Sequence, residues 1–451
     1  MKEIFLPFDN IFAYYRKIVK KDKEKNFSQI KSLKDIELLS TFIKLLLNLK
    51  KVDVLELIGN LPELSKVSKL GVMNAGKIGF LYIKAHFLRS LGVAFFYFNK
   101  LEDALTIFEE LLDFSAKIKS RKIKLTALGN IGLVYLWLGD YELTKKYLEK
   151  CIDLALKMKD EKNLSIVYEK MGMLYYELDN FKESLEYYKL ALEIAKRTGN
   201  RRGEAILYGN IGNLYVKHKK IEKAFSYYKK GIELAYQVQD IWTECLWTAN
   251  YGALFAYIGE EKKAIPYMNR SLKIARQLQA KLSEKICLQG LCGVFIMLKN
   301  YKIAAEYAEK GLQLSKETGN KQYEIIFLTL LGTIELEERN IGKAIKFLNE
   351  AKKITKKPEK DLSALRIEVY LERAKFLKEK SESCLEKIKK IVYSTKQRED
   401  EELIIESLIE LGKSQKEMGW LKQAREAFKE VKSVIKKTKR LKYLKVVEEE
   451  L

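Results

Sequence analysis

Histidine and cysteine suit acid–base, nucleophilic and metal chemistry near neutral pH, and this sequence spaces them for none of it. It holds two histidines, His86 and His218, and five cysteines, Cys151, Cys245, Cys287, Cys292 and Cys384. No two cysteines form a CxxC pair, and neither histidine belongs to a cluster with metal-ligand spacing. Cys287 and Cys292 lie five apart and so point different ways on one helix. The phosphate-binding patterns GxxxxGK[ST] and GxGxxG are absent, as are GxSxG and HExxH. The acids mostly have lysines three or four residues away, the pattern of solvated ion pairs. The expectation is a protein that is not an enzyme and needs no cofactor or metal.

What remains is the chemistry of recognition. Asn130, Asn210 and Asn250 recur at multiples of forty, and an amide can donate and accept at once, as a peptide unit requires. Lys170 takes the same place in the intervening unit, so the ladder is partial. At nearby offsets stand apolar and aromatic side chains: Phe96 and Tyr97, then Leu133 and Trp137, then Met173 and Tyr176. Further on come Asn213 and Lys217, then Tyr257, then Met297. Toward the C-terminus the same offsets turn charged, at Glu337, Glu410, Lys413 and Glu417. These residues form a second stripe, away from the core stripe of Leu128, Ile131 and Tyr135. A stripe that only met water would be polar. An exposed aromatic strip marks a partner surface, and Tyr, Trp and Met are favoured there. The competing reading is burial against neighbouring helices, with each asparagine bonding the next helix.

The elements that must carry this stripe are legible from repetition. GNIGLVYLWLGDYELTKKYLEK begins at Gly129, EKMGMLYYELDNFKESLEYYKL at Glu169 and GNIGNLYVKHKKIEKAFSYYKK at Gly209. Stepping by forty from Gly92 gives Gly132, Gly172, Gly212, Gly252, Cys292, Gly332, Glu372 and Gly412. Twelve residues beyond each lie Ala104, Thr144, Ser184, Ala224, Ala264, Ala304, Ala344, Cys384 and Ala424. Both series are small, as a close crossing of two helices demands, and the register holds from 92 to 412. Each unit reads as two helices. Gly139-Asp140 is the turn between them, and TGN at Thr198 to Asn200 and Thr318 to Asn320 closes a unit. With only 4 prolines and a Leu-, Glu-, Lys- and Ala-rich composition, the chain reads as all-α.

This pattern resembles the tetratricopeptide repeat. Residues 161–200 place Tyr168, Met171, Gly172, Tyr175, Ser184, Tyr188 and Ala191 where that family wants its bulky, small and aromatic residues. Residues 201–240 place Tyr208, Ile211, Gly212, Tyr215, Ala224, Tyr228 and Gly231 likewise. The forty-residue period is similar to the repeats of Rap-type and MalT-type regulators and Pins-type adaptors. The resemblance implies a right-handed α-α superhelix, a solenoid of about eight to nine helix pairs, with the first helix of each pair lining a concave groove. It also implies that groove asparagines hold an extended peptide. The expected layout is an irregular helical region over 1–78, a degenerate repeat or a cap, then the array over 79–440 and the end of a capping helix over 441–451. The unit near 361–400 is degenerate, with Glu372 at the small site and Lys375 at the aromatic site, which predicts a distorted or more exposed helix.

The function expected is a protein–protein interaction scaffold binding a protein or peptide segment in that groove. One alternative is a Rap-like peptide-responsive regulator. Another is a basic superhelix on nucleic acid. The net charge of +23 comes from 70 lysines and 14 arginines against 61 acids. The scarcity of arginine and the interleaving of acids favour a charged surface, from an AT-rich genome or a thermophile, over nucleic-acid readout. The absence of a signal segment, of an apolar run of about 18 residues and of paired cysteines predicts a cytoplasmic protein with no membrane contact. The charge pattern leaves homo-oligomerisation open.

Overall fold

Most helices of the array run seventeen residues and most turns three, so half a repeat takes twenty. The computed structural model describes residues 33–58, 61–77, 79–98, 100–355 and 362–451, and among them the regular structure is helical, with no strand. The chain forms two compact units, residues 1–214 and 215–451.

Unit 1 contains α1 (Leu33–Ile58), α2 (Leu61–Lys77), α3 (Leu81–Tyr97), α4 (Leu101–Lys117), α5 (Arg121–Leu138), α6 (Tyr141–Met158), α7 (Glu161–Glu177) and α8 (Phe181–Arg197). Its last helix, α9 (Arg201–Lys217), runs through the boundary. Unit 2 continues with α10 (Ile221–Gln237), α11 (Ile241–Tyr257), α12 (Glu261–Gln277), α13 (Lys281–Met297), α14 (Tyr301–Glu317), α15 (Lys321–Glu337) and α16 (Ile341–Ile354). It ends with α17 (Leu362–Glu379), α18 (Glu382–Gln397), α19 (Glu401–Glu417), α20 (Leu421–Thr438), a 3-10 turn (Leu441–Tyr443) and α21 (Leu444–Glu450). Residues 1–32 of the expected cap lie outside the described residues. The rest of that cap is a helix pair in register, since α2 starts forty residues before α4, with Pro62 in its first turn where a helix tolerates it.

Among the described residues the turns between helices use one residue in the left-handed region, and these recur every twenty residues: Gly139, Lys159, Asp179, Gly199, Lys219 and onward. Asp140, Asp160, Asp240, Asn300, Asn320 and Asp400 then cap the next helix through their side chains. Many left-handed sites carry a side chain that disfavours this conformation. Lys159 (φ 51) is one, and Lys159→Gly is expected to stabilise unit 1 by about 0.5–1 kcal/mol, read as a rise in its urea midpoint.

The register shifts locally in one place. α17 has 18 residues and the left-handed residue is Lys380, one place late; α18 has 16, and Glu399 restores the spacing. The expected distortion of α17 is corrected too: it is a continuous helix. Glu372 is buried because Lys375 and Lys387 reach its carboxylate at 2.5 and 3.6 Å.

The two small series meet as expected, with a further rule. The glycine of each first helix faces the residue sixteen later on the second. A Cβ on Gly92 would stand 2.4 Å from Phe108, on Gly172 2.5 Å from Tyr188, and on Gly332 2.6 Å from Leu348. At the corresponding positions Cys292 and Ala308 belong to one core cluster and are both fully buried, so the larger residue on one helix goes with the smaller on the other. The aromatic at offset fifteen stacks on a different partner, twelve residues on: Tyr135 on Tyr147, Tyr175 on Tyr187, Phe255 on Tyr267 and Phe295 on Tyr307, at 5.4–5.7 Å. The core is therefore a run of small clusters. One joins Leu125 and Leu136 of α5, Leu148 and Cys151 of α6, and Val167 and Met171 of α7, as stacked repeats require.

Candidate functional site

In unit 1 the second stripe of the first helices divides into an aromatic part and a polar part. Phe96 on α3 meets Trp137 on α5 edge-to-face at 5.9 Å and Tyr97 at 5.6 Å. Trp137 is 63% exposed and Tyr97 57%, so the cluster shows large apolar faces to solvent. Tyr176 on α7 is half-buried. Leu133 and Met173 are half-buried and lean on the core, packing against the cluster around Leu148 and Met171.

The polar part follows the reading in which an amide bonds the next helix. Asn210 donates to Oε1 of Glu169 at 3.0 Å, and Lys170 donates to the Gly129 carbonyl at 2.8 Å. Burial pushes the Glu169 carboxyl up and the Lys170 ammonium down. Asn130 and Asn213 are half-buried on the same face. Glu169 was not anticipated. Its signal is a charge at the offset that holds Gly129, Gly209 and Ala249 elsewhere.

The histidine and cysteines behave as packing groups. Burial lowers the pKa of His86 to about 4, so it stays neutral at ordinary pH. All five cysteines are buried and reduced. Burial raises Cys151 and Cys287 to about 11 and Cys292 to about 12, which removes thiolate character.

In unit 2, Asn250, Tyr257 and Met297 line a cavity of about 710 Å³ among the first helices α11, α13, α15, α17 and α19. Lys217, half-buried at the start of this unit, is not among its lining residues. The cavity has an apolar wall, from Ile286 and Gly290 to Ile326 and Leu330, and a charged one carrying Arg366, Glu402, Glu406 and Lys413. The C-terminal segment crosses its edge. Tyr257 donates to the Thr438 carbonyl, and Arg440 lies 5.5 Å over the Tyr257 ring. Arg440 and Lys442 bond Glu402, and the Tyr443 hydroxyl is 3.0 Å from both Glu402 and Glu406.

Burial opposes ionisation of Glu402, but Lys442 and Arg440 outweigh it and hold the carboxyl low. Burial instead raises Glu406, which accepts from Arg366 Nε at 2.8 Å. Lys413 stays charged against burial because Glu410 and Glu337 flank it, the latter at 2.7 Å. Arg366, Tyr370 and the tail residues were missed by the sequence reading. Arg366 and Glu406 share one offset forty apart, four residues before the asparagine position, so that stripe could have been extended to them. Nothing in the sequence signals the approach of Arg440 to Tyr257.

Among the described residues no three His, Cys, Asp or Glu side chains are grouped to hold a metal ion. No described helix is long and apolar enough to cross a membrane.

Two family models match, both described as tetratricopeptide repeat, over residues 163–237 and 125–157. No curated protein matches the sequence. Solved structures match by shape at low identity. A STAND ATPase with a tetratricopeptide repeat sensor, from Pyrococcus horikoshii, is 20% identical with TM-score 0.51; the alignment covers 73% of this chain and 52% of that one. The chain thus spans about half the length of that protein. A Rap protein complexed with competence and sporulation factor is 14% identical with TM-score 0.56, covering 79% of this chain and 99% of that one. The apo form of RapI is 13% identical with TM-score 0.59, covering 79% and 98%.

Proposed function

We propose that this chain, an all-α array of helix pairs whose residues 125–157 and 163–237 match the tetratricopeptide repeat, is a non-catalytic scaffold that captures a protein or peptide segment on the first-helix face of unit 1. The observation that carries this is the cluster in which half-buried Phe96 holds the rings of Tyr97 and Trp137, both left open to solvent. Amphipathic aromatics placed so are the usual anchors of an interface, because they bury much area at small entropic cost. Tyr176 and the half-buried asparagines Asn130 and Asn213 continue the same face. A preformed face pays little ordering cost on binding. The fold has a precedent for a bound factor in the Rap complex, and a peptide-responsive regulator is the form of scaffold that this likeness favours.

The test is affinity capture from nuclease-treated lysate of the native host, with a salt series in the wash. A discrete protein surviving high salt on the native chain is expected to be lost with Trp137→Ala plus Tyr176→Ala, while helicity is unchanged. Capture that persists in the double variant refutes the proposed face. Recovery of nucleic acid alone, released by moderate salt, would assign binding to the net charge instead.

A further inference from the structure

Unit 2 has a half-open hollow that its own side chains leave unfilled. The cavity of about 710 Å³ falls within the range of about 300–1,000 Å³ typical of small-molecule sites. Its apolar wall is widened by two glycines of α13. A Cβ on Gly293 would meet nothing within 4 Å, and one on Gly290 would meet only the end of Met268.

The opposite wall carries many charges, and most are engaged with one another. Glu337 pairs with Lys413 at 2.7 Å, Glu449 with Lys299 at 2.6 Å, and Glu402 with Lys442 and Arg440. Arg366 differs. It lines the cavity, and among the described residues only its Nε is hydrogen-bonded, to Glu406, which leaves the donors of the two η nitrogens to offer a ligand. One turn further along α17, on the same face, Tyr370 also lines the cavity, and its hydroxyl makes no hydrogen bond among the described residues. A guanidinium fork and a phenol at i and i+4 make a receptor for a planar anion, and the apolar wall stands across from them.

We infer that this cavity is a binding site for a small amphipathic carboxylate, whose carboxylate is taken by Arg366 and Tyr370 and whose apolar body lies along Gly290, Gly293 and Leu330. The other acids of this wall are paired with lysine or arginine, and Glu406 takes only the Nε of Arg366, so a ligand carboxylate would compete with no other acid for the η nitrogens. The Arg440–Tyr443 stretch, fixed to Glu402, forms the rim. This site does not depend on segment capture by unit 1.

The test uses three probes with one apolar body and different heads: decanoate, 1-decanol and decylamine. Each is titrated calorimetrically into the full chain below its micellar or solubility limit. Decanoate is expected to bind at least tenfold tighter than decanol, and decylamine weakest. Arg366→Gln should bring decanoate to the level of decanol and leave decanol unchanged. Gly293→Leu, which fills the cavity from a position with open space around it, should abolish both. Trp137→Ala plus Tyr176→Ala, in unit 1, should leave decanoate binding intact, so the two proposals fail separately. The inference is overturned if decylamine binds as tightly as decanoate, if none of the three binds, or if decanoate binding is indifferent to both Arg366→Gln and Gly293→Leu.

Discussion

Replacement of Arg373 by Met is expected to cost unit 2 about 3 kcal/mol, because it takes a shared counterion from the buried Glu410 and the half-buried Glu417. The Arg373 side chain is only 5% exposed. Its Nη2 stands 2.6 Å from Glu417 Oε1, its Nε 3.4 Å from Glu410 Oε2, and its Nη1 donates to Ser414 Oγ at 3.0 Å. Glu410 is buried, so losing the guanidinium leaves it with Lys413 alone, at 3.4 Å. Glu417 keeps Lys380 and Arg339, at 2.5 and 3.1 Å, and so the loss falls at the lower end of the range for broken buried pairs. Arg373→Lys should recover little, since a point charge cannot serve three acceptors at once. Arg373→Met combined with Glu410→Met should recover a good part, since an apolar pair avoids the desolvation that the lone acid suffers.

The same network fixes a pH dependence. Burial raises the Glu417 carboxyl, yet Lys380, Arg373 and Arg339 prevail and hold it at about 2, below its ordinary 4.5. A carboxyl depressed in the folded state stabilises that state fully above the unfolded value. The contribution is therefore intact at pH 7 and drains away between about 4.5 and 2. Urea midpoints of the native chain should fall through that window, and the slope should be shallower in Arg373→Met. A variant within 1 kcal/mol of the native chain at pH 7, with an unchanged slope, would show that the network is dispensable.

Why was so much of the array legible while its binding features were only partly so? The period was visible because helix crossings constrain residue size, and size constraints repeat with the repeat. Helix pairs, turns and small positions all follow from Gly132, Gly139-Asp140 and Thr144 and their copies. Partners separated by one helix were not legible in the same way. The aromatic pattern drew attention to Tyr188, but the residue that stacks on Tyr175 is Tyr187, and Tyr188 fills the space over Gly172. Adjacent tyrosines on one helix differ by about 100° of azimuth, and the sequence does not say which azimuth faces which neighbour. Likewise Asn130, Asn210 and Asn250 were found as a series, but whether an amide serves a ligand or the next helix depends on a residue outside the series, such as Glu169. Charge near residue 372 suggested exposure. Burial won because Lys375 and Lys387 come from two different helices and converge on one carboxylate. The contact of Arg440 with Tyr257 joins positions 183 apart, and no short-range pattern encodes it.

The rule that pairs each first-helix glycine with the residue sixteen later yields a second large effect. It is a rule about summed volume rather than smallness. Gly92 faces Phe108, Gly332 faces Leu348 and Gly412 faces Phe428, whereas Cys292 and Ala308 stand at the corresponding positions. Gly172→Cys should therefore cost about 2–3 kcal/mol, since the Tyr188 ring lies 2.5 Å from where the new Cβ must sit and both surrounding helices are closely packed. Tyr188→Ala alone should cost about 3–4 kcal/mol through the void it leaves, Tyr188 being only 3% exposed. The two together reproduce the native arrangement at 292 and 308. Each change now relieves the other: the thiol occupies part of the void, and the missing ring removes the clash. The double variant should be more stable than the sum of the singles predicts by at least about 1 kcal/mol, a coupling large enough to resolve by urea denaturation of unit 1. Additivity within 0.5 kcal/mol would mean that the helices move apart to admit the new side chain. The crossing distance would then be set elsewhere in the pair, and the forty-residue series of small residues would have some cause other than this contact.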